Sequence, residues 1–146
     1  MARTYRLGLA RRAVNVVFAA LTRRGLGDRH TYILRVRGRR TGRLYSTPVR
    51  LIEHEGARWL VAPYGEVAWV RNARAAGEVI LSRGGRDETL RISELGPDEA
   101  APVLRDYVRA VAVVRPFFDV HPDAPLEDFE REAPRHPVFR LGEPST

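Results

Sequence analysis

Between Thr31 and Arg37 the chain alternates, with Tyr32, Leu34 and Val36 on one face, a period of two that predicts a strand. A second strand is predicted from about Leu44 to Glu53, a turn at His54-Glu55-Gly56, and a short apolar strand from Arg58 to Ala62. Glu66 to Ala76 carries a helical pattern that Gly77 ends. Val79 to Ser82 and Glu88 to Ser93 form a predicted hairpin about the turn Arg83-Gly84-Gly85-Arg86. Pro97, Asp98 and Glu99 suit the start of a helix, predicted to run to about Val114. Residues 115–135 are irregular and proline-punctuated, with a short helix expected from Leu126 to Glu132; Val138 to Leu141 closes the chain as a strand. Hairpins outnumber βαβ units, which predicts an α+β, mostly antiparallel fold: a small barrel with peripheral helices.

Ahead of these elements, Leu7, Ala10, Val14, Val17, Phe18 and Leu21 recur at helical spacing. The expected organisation is therefore an N-terminal helix within residues 1–29 and a barrel domain over 30–146. The helix packs on the domain or lies on a membrane surface, because its apolar run is too short to span a bilayer. No small-residue cleavage site follows it, so a secretory signal is not expected.

Charge changes the picture. The 146-residue chain has a formal net charge of +7, and all 25 of its Lys+Arg positions are arginine. Residues 1–50 hold thirteen arginines against one acid, Asp28; residues 51–146 hold twelve against seventeen acids. The anion-attracting part is thus N-terminal. The absence of cysteine excludes thiol nucleophiles and cysteine-held metals and fits a cytoplasmic protein. The absence of lysine excludes Schiff-base chemistry.

Chemistry carried by side chains is sparse. His30, His54, His121 and His136 match no metal-ligand spacing and read as turn or surface residues. Ser46 and Ser82 have no evident base, and the paired carboxylates of the C-terminal third read as a solvated face. An enzyme of this composition would rely on a bound cofactor. Two segments could hold one. The turn Arg37-Gly38-Arg39-Arg40-Thr41-Gly42-Arg43 combines glycine freedom with guanidinium forks suited to phosphate or carboxylate; it also reads as a solvated hairpin tip. The segment Ala62-Pro63-Tyr64-Gly65-Glu66-Val67-Ala68-Trp69-Val70-Arg71-Asn72 leads from a strand through a bend into a helix whose first N–H groups are free for an anion or a ring carbonyl. Trp69 and Asn72 share one face of that helix, and Trp69 could equally be core.

Gly38-Arg39-Arg40-Thr41-Gly42 followed by Thr47-Pro48 resembles the G-R-K/R-T/S-G…P turn of the deazaflavin-dependent nitroreductase family. Val61 to Asn72 is similar to that family's G-x…W-x-x-N segment, and Phe117-Phe118-Asp119 and His136 to Leu141 to the tail of one of its branches. The resemblance covers about residues 30–141. It implies a split β-barrel, the FMN-binding-like fold, and coenzyme F-420, a hydride-transferring 5-deazaflavin with a phosphodiester and oligoglutamate tail. It implies that Arg39 and Arg40 hold the phosphate and that Thr41 and Gly42 shape the turn. Pro48, Ala62, Pro63, Tyr64 and Gly65 would line the ring and its linker, and Ala68 and Trp69 would close the site. Pro63 stands where serine is common, and Tyr107 is the candidate for a pocket tyrosine. The acceptor implied is a small molecule: a nitroaromatic, a quinone or an enone.

Other readings remain open on the residues. The arginine turn would also serve the phosphate of FMN. A basic nucleic-acid-binding barrel is disfavoured, because apart from Tyr32 and Tyr45 aromatics are not interleaved with the basic strand residues. Peripheral membrane contact through the N-terminal helix and a homodimer are compatible with the oxidoreductase reading.

Overall fold

The computed structural model describes residues 29–54 and 56–144. The helix expected from Leu7 to Arg24, and with it the boundary at residue 29, lies outside the described residues. Six strands form a closed antiparallel barrel in the order β1-β2-β3-β6-β5-β4. They are β1 (Thr31–Arg37), β2 (Leu44–His54), β3 (Ala57–Val61), β4 (Glu78–Arg83), β5 (Arg86–Glu94) and β6 (Val138–Pro144). Helix α1 (Ala68–Ala76) follows β3, and α2 (Pro97–Ala110) and α3 (Leu126–Glu132) lie between β5 and β6, each followed by a short 3-10 turn (Ala112–Phe117 and Ala133–Arg135). No described helix is long and apolar enough to cross a membrane.

The barrel splits where β2 outruns its neighbour. Along β1 the pairing of β2 extends from Leu44 to Arg50, whereas its pairing with β3 covers only Leu51 to His54 and stops at Leu51↔Leu60. Pro48 lies in the stretch that β3 leaves uncovered, where a missing N–H costs no ladder bond on that side.

Two apolar clusters hold this frame. Leu34, Val36, Leu51, Leu60, Leu81, Leu90 and Phe139 fill the barrel, and α1 adds Val70 and Ala73 to them. Outside, α2, α3 and the irregular segment pack Leu104, Tyr107, Val108, Phe118 and Phe129 against Ile52, Val61 and Val138 of the wall. A period of two places Ile33 on the solvent face of β1, yet it is 1 % exposed, because both faces of this strand are covered. Tyr107, the candidate pocket tyrosine, is 4 % exposed and packs in the outer cluster.

Helix α2 ends at Ala110, not near Val114. Arg115 folds back over its end, with Nε donating to the carbonyl of Val108 (3.0 Å) and Nη2 to that of Arg109 (3.1 Å). These bonds satisfy carbonyls that a longer helix would have paired. By contrast α1 stops at the expected glycine: Gly77 has φ 75° and donates to the carbonyl of Ala73.

Candidate functional site

The antiparallel order brings the β1–β2 turn, the exit of β3 and the start of β6 to one end of the barrel. The arginine turn closes on itself there. Gly38 N–H donates to the Arg43 carbonyl (2.7 Å), and Gly42, at φ 73°, donates back to the Gly38 carbonyl (2.9 Å). Thr41 Oγ1 accepts from the Arg43 N–H (3.2 Å) and meets the Tyr45 hydroxyl (3.0 Å). A side chain at position 38 would strike the Tyr45 ring, with Cβ 2.6 Å from its Cε2, so the ring lies on bare backbone.

Asn72 of α1, 6 % exposed, ties this turn to the second segment. Its Oδ1 accepts from both the backbone N–H (3.1 Å) and Nη1 (2.6 Å) of Arg39. One face of the Arg39 guanidinium is thereby fixed. Arg40 is exposed and bonds to no described residue. Sequence reasoning placed Asn72 on the right helix face but gave it no role; its partner is 33 positions away, beyond any local pattern.

The bend is equally built. Ala62, fully buried, donates to the Pro137 carbonyl (2.8 Å), and Gly65 N–H donates to the Ala62 carbonyl (3.3 Å). Gly65 has φ 88°, and a Cβ there would lie 3.3 Å from the Arg135 carbonyl oxygen. The Tyr64 ring meets Phe117 edge-on at 4.8 Å between centroids. Beyond it, Val67 caps α1 without a side-chain bond, and the N–H groups of Ala68 and Trp69 reach no described acceptor. Trp69 is half-buried against Phe139 (6.1 Å) and Ala68 is exposed. Trp69 is thus a lid on the barrel core. Arg74, bonded to Glu94 (2.7 Å) and Glu66 (3.0 Å), fastens α1 to β5 and to the bend.

Two expectations about charged residues fail behind this bend. His136 is 3 % exposed and Glu132 is 5 % exposed, so neither belongs to the surface. His136 Nδ1 lies 2.8 Å from the Pro63 carbonyl, Nε2 lies 2.9 Å from Glu132 Oε1, and the ring stacks on Phe118 at 3.7 Å. Glu132 Oε1 also accepts the Asp119 N–H (3.0 Å). Burial pushes the His136 ring below the usual histidine range, against the pull of Glu132 and Pro63. His30 and His54 stand at the far end of the barrel and His121 is exposed. Among the described residues no group of three or more His, Cys, Asp or Glu could hold a metal ion.

A groove of about 700 Å³ opens at the opposite barrel end, beside Tyr32, Arg58, Arg83 and Glu88. Two of its arginines are engaged, Arg58 with Glu88 (2.8 Å) and Arg83 with the Thr31 carbonyl (2.6 Å), and Asp87 and Glu88 line it beside Arg86. It therefore suits a polyanion less well than the turn does, despite its size.

Comparison with known proteins bears on the family and the fold. A family model described as F420H(2)-dependent quinone reductase matches residues 11–118. No curated protein matches significantly in sequence. Among solved structures, an F420-H2 dependent reductase (FDR-A) superposes with TM-score 0.55 at 21% identity, covering 79% of this chain and 96% of its own. A structure described as a domain-swapped dimer gives 0.55 at 19%, covering 90% and 96%. The protein Atu2129 of unknown function from Agrobacterium tumefaciens gives 0.54 at 20%, covering 89% of this chain, which spans only 53% of Atu2129. At these identities the structures show a shared split-barrel fold. The family match, over most of the chain, shows more: the chain belongs to the F420H(2)-dependent quinone reductase family, and is an oxidoreductase with coenzyme F-420 as its cofactor.

Proposed function

We propose that the protein passes a hydride from reduced coenzyme F-420 to a small organic acceptor of the quinone, enone or nitroaromatic class, at the barrel end that carries the arginine turn. The observation that carries this reading is the Asn72–Arg39 contact, which joins the arginine turn to α1 and makes one site of two segments. The donor set fits the cofactor. Arg40, the outward side of Arg39 and the unpaired N–H groups of Ala68 and Trp69 match a phosphodiester, carboxylates and ring carbonyls. When bound, the deazaflavin supplies the hydride.

The chain supplies placement. Arg39 and Arg40 hold the phosphate, and Thr41 and Gly42 set the shape of the turn. Pro48 on the uncovered stretch of β2 and Pro63, Tyr64 and Gly65 on the bend line the ring and its linker, with the buried Ala62 supporting the bend from within the core. Ala68 and Trp69 close the site and exclude water beside the ring.

The test is parallel titration of purified protein with F-420, FMN and FAD, followed by fluorescence. F-420 is expected to bind more tightly than FMN, with an affinity that falls as salt rises, because part of the attraction is screened charge. Equal or tighter FMN binding at moderate salt contradicts the reading.

A further inference from the structure

The geometry points to His136 as a positioning residue: we infer that it clamps the Pro63–Gly65 bend from behind and so sets the ring-binding surface, a role distinct from holding the cofactor tail. The inference rests on the proposed ring site.

Three contacts tie the bend to the segment before β6. Nδ1 of His136 meets the Pro63 carbonyl at 2.8 Å, Ala62 N–H donates to the Pro137 carbonyl at 2.8 Å, and Gly65 sits against the Arg135 carbonyl. The first is the only one made by a side chain. A carbonyl only accepts, so Nδ1 carries a proton and donates it. That fixes the ring orientation and turns Nε2 to Glu132 Oε1 at 2.9 Å, a contact that needs one proton between the two atoms. Glu132 is anchored in turn by the Asp119 N–H, and Arg135 Nη1 stands 3.9 Å from its second oxygen and 3.3 Å from Asp119. Phe118 stacked on the imidazole completes the clamp. A buried histidine and a buried glutamate are costly unless paired and hydrogen-bonded, and here each is. Here they convert the fixed position of α3 into a fixed position for the Pro63 carbonyl, at the bend that faces the ring.

Side-chain length separates this role from plain packing. Asparagine places an amide N–H at the δ position, where Nδ1 stands; glutamine places one at the ε position, nearer Glu132. His136→Asn therefore keeps the donor to Pro63, and His136→Gln loses it. Two probes are titrated by fluorescence: intact F-420, and the deazaflavin riboside that lacks phosphate and glutamates. Losing one buried hydrogen bond is expected to weaken the binding of both probes by His136→Gln about five- to tenfold. His136→Asn is expected to stay within about twofold of the parent for both. Equal weakening by Asn and Gln, or no weakening by either, overturns the inference.

Amide exchange in the unsubstituted protein supplies a second readout should a variant not fold. The Ala62 and Gly65 amides are expected to be protected before any ligand is added, and fast exchange there overturns the clamp. Failure of the parent protein to bind either probe would instead strike the proposed ring site itself.

Discussion

Replacing Arg39 and Arg40 together by alanine is expected to raise the Kd for F-420 at least about tenfold, since a charge-assisted contact to phosphate is worth on the order of 1.5–3 kcal/mol. The two arginines differ in what else they do. Arg40 bonds to no described residue, so Arg40→Ala is expected to weaken binding and leave Tm unmoved. Arg39 also satisfies the buried Asn72 carbonyl through Nη1, although its backbone N–H stays on the same oxygen in the variant. Arg39→Ala is therefore expected to lower Tm slightly as well as weaken binding. Because the deazaflavin riboside has no tail, its affinity is expected to be the same for the double variant as for the parent. An F-420 titration curve unchanged by the double substitution would show that the turn is merely solvated.

Phe139→Ala is expected to cost about 3–5 kcal/mol of stability, read from urea denaturation, because it removes a large ring from a close-packed interior. Phe139 is 1 % exposed, pairs with Leu60 across the β3–β6 ladder, and touches Trp69. Its loss removes the floor under Trp69 as well as the centre of the barrel core. Phe139→Leu keeps most of the volume and is expected to recover much of the stability. A destabilisation below about 1 kcal/mol would mean that the barrel interior collapses around the gap, contrary to the closed packing described.

What the sequence discloses here is what local chemistry determines. Alternation and glycine turns located all six strands within a few residues, because each hairpin turn is written in adjacent residues: Gly84 and Gly85 both have positive φ between β4 and β5. Helix α3 falls on Leu126–Glu132 as the pattern predicts. The two candidate segments were legible because each is a continuous motif. Their union was not, since it depends on Arg39 meeting Asn72 across the fold. Nor was the fate of His136 and Glu132. His136 lies in proline-punctuated chain and Glu132 at the end of a short helix, and polar residues at such places read as solvent-facing unless tertiary partners such as Phe118 and Pro63 are known. The end of α2 was overextended for a related reason: its stop is set by Arg115 folding back, a side-chain event with no glycine to mark it.

Hydride transfer from the cofactor is followed most directly by a deuterium label. Reduced F-420 carrying two deuteriums at the reactive ring carbon is incubated with the protein and a panel of quinones, enones and nitroaromatics. The oxidised cofactor is expected to retain one deuterium, with the other delivered to carbon of an enone acceptor and a slowed rate relative to unlabelled cofactor. Enone reduced with no deuterium at its carbon, the cofactor's label passing to solvent instead, or no turnover of the bound cofactor with any acceptor class, would contradict hydride transfer.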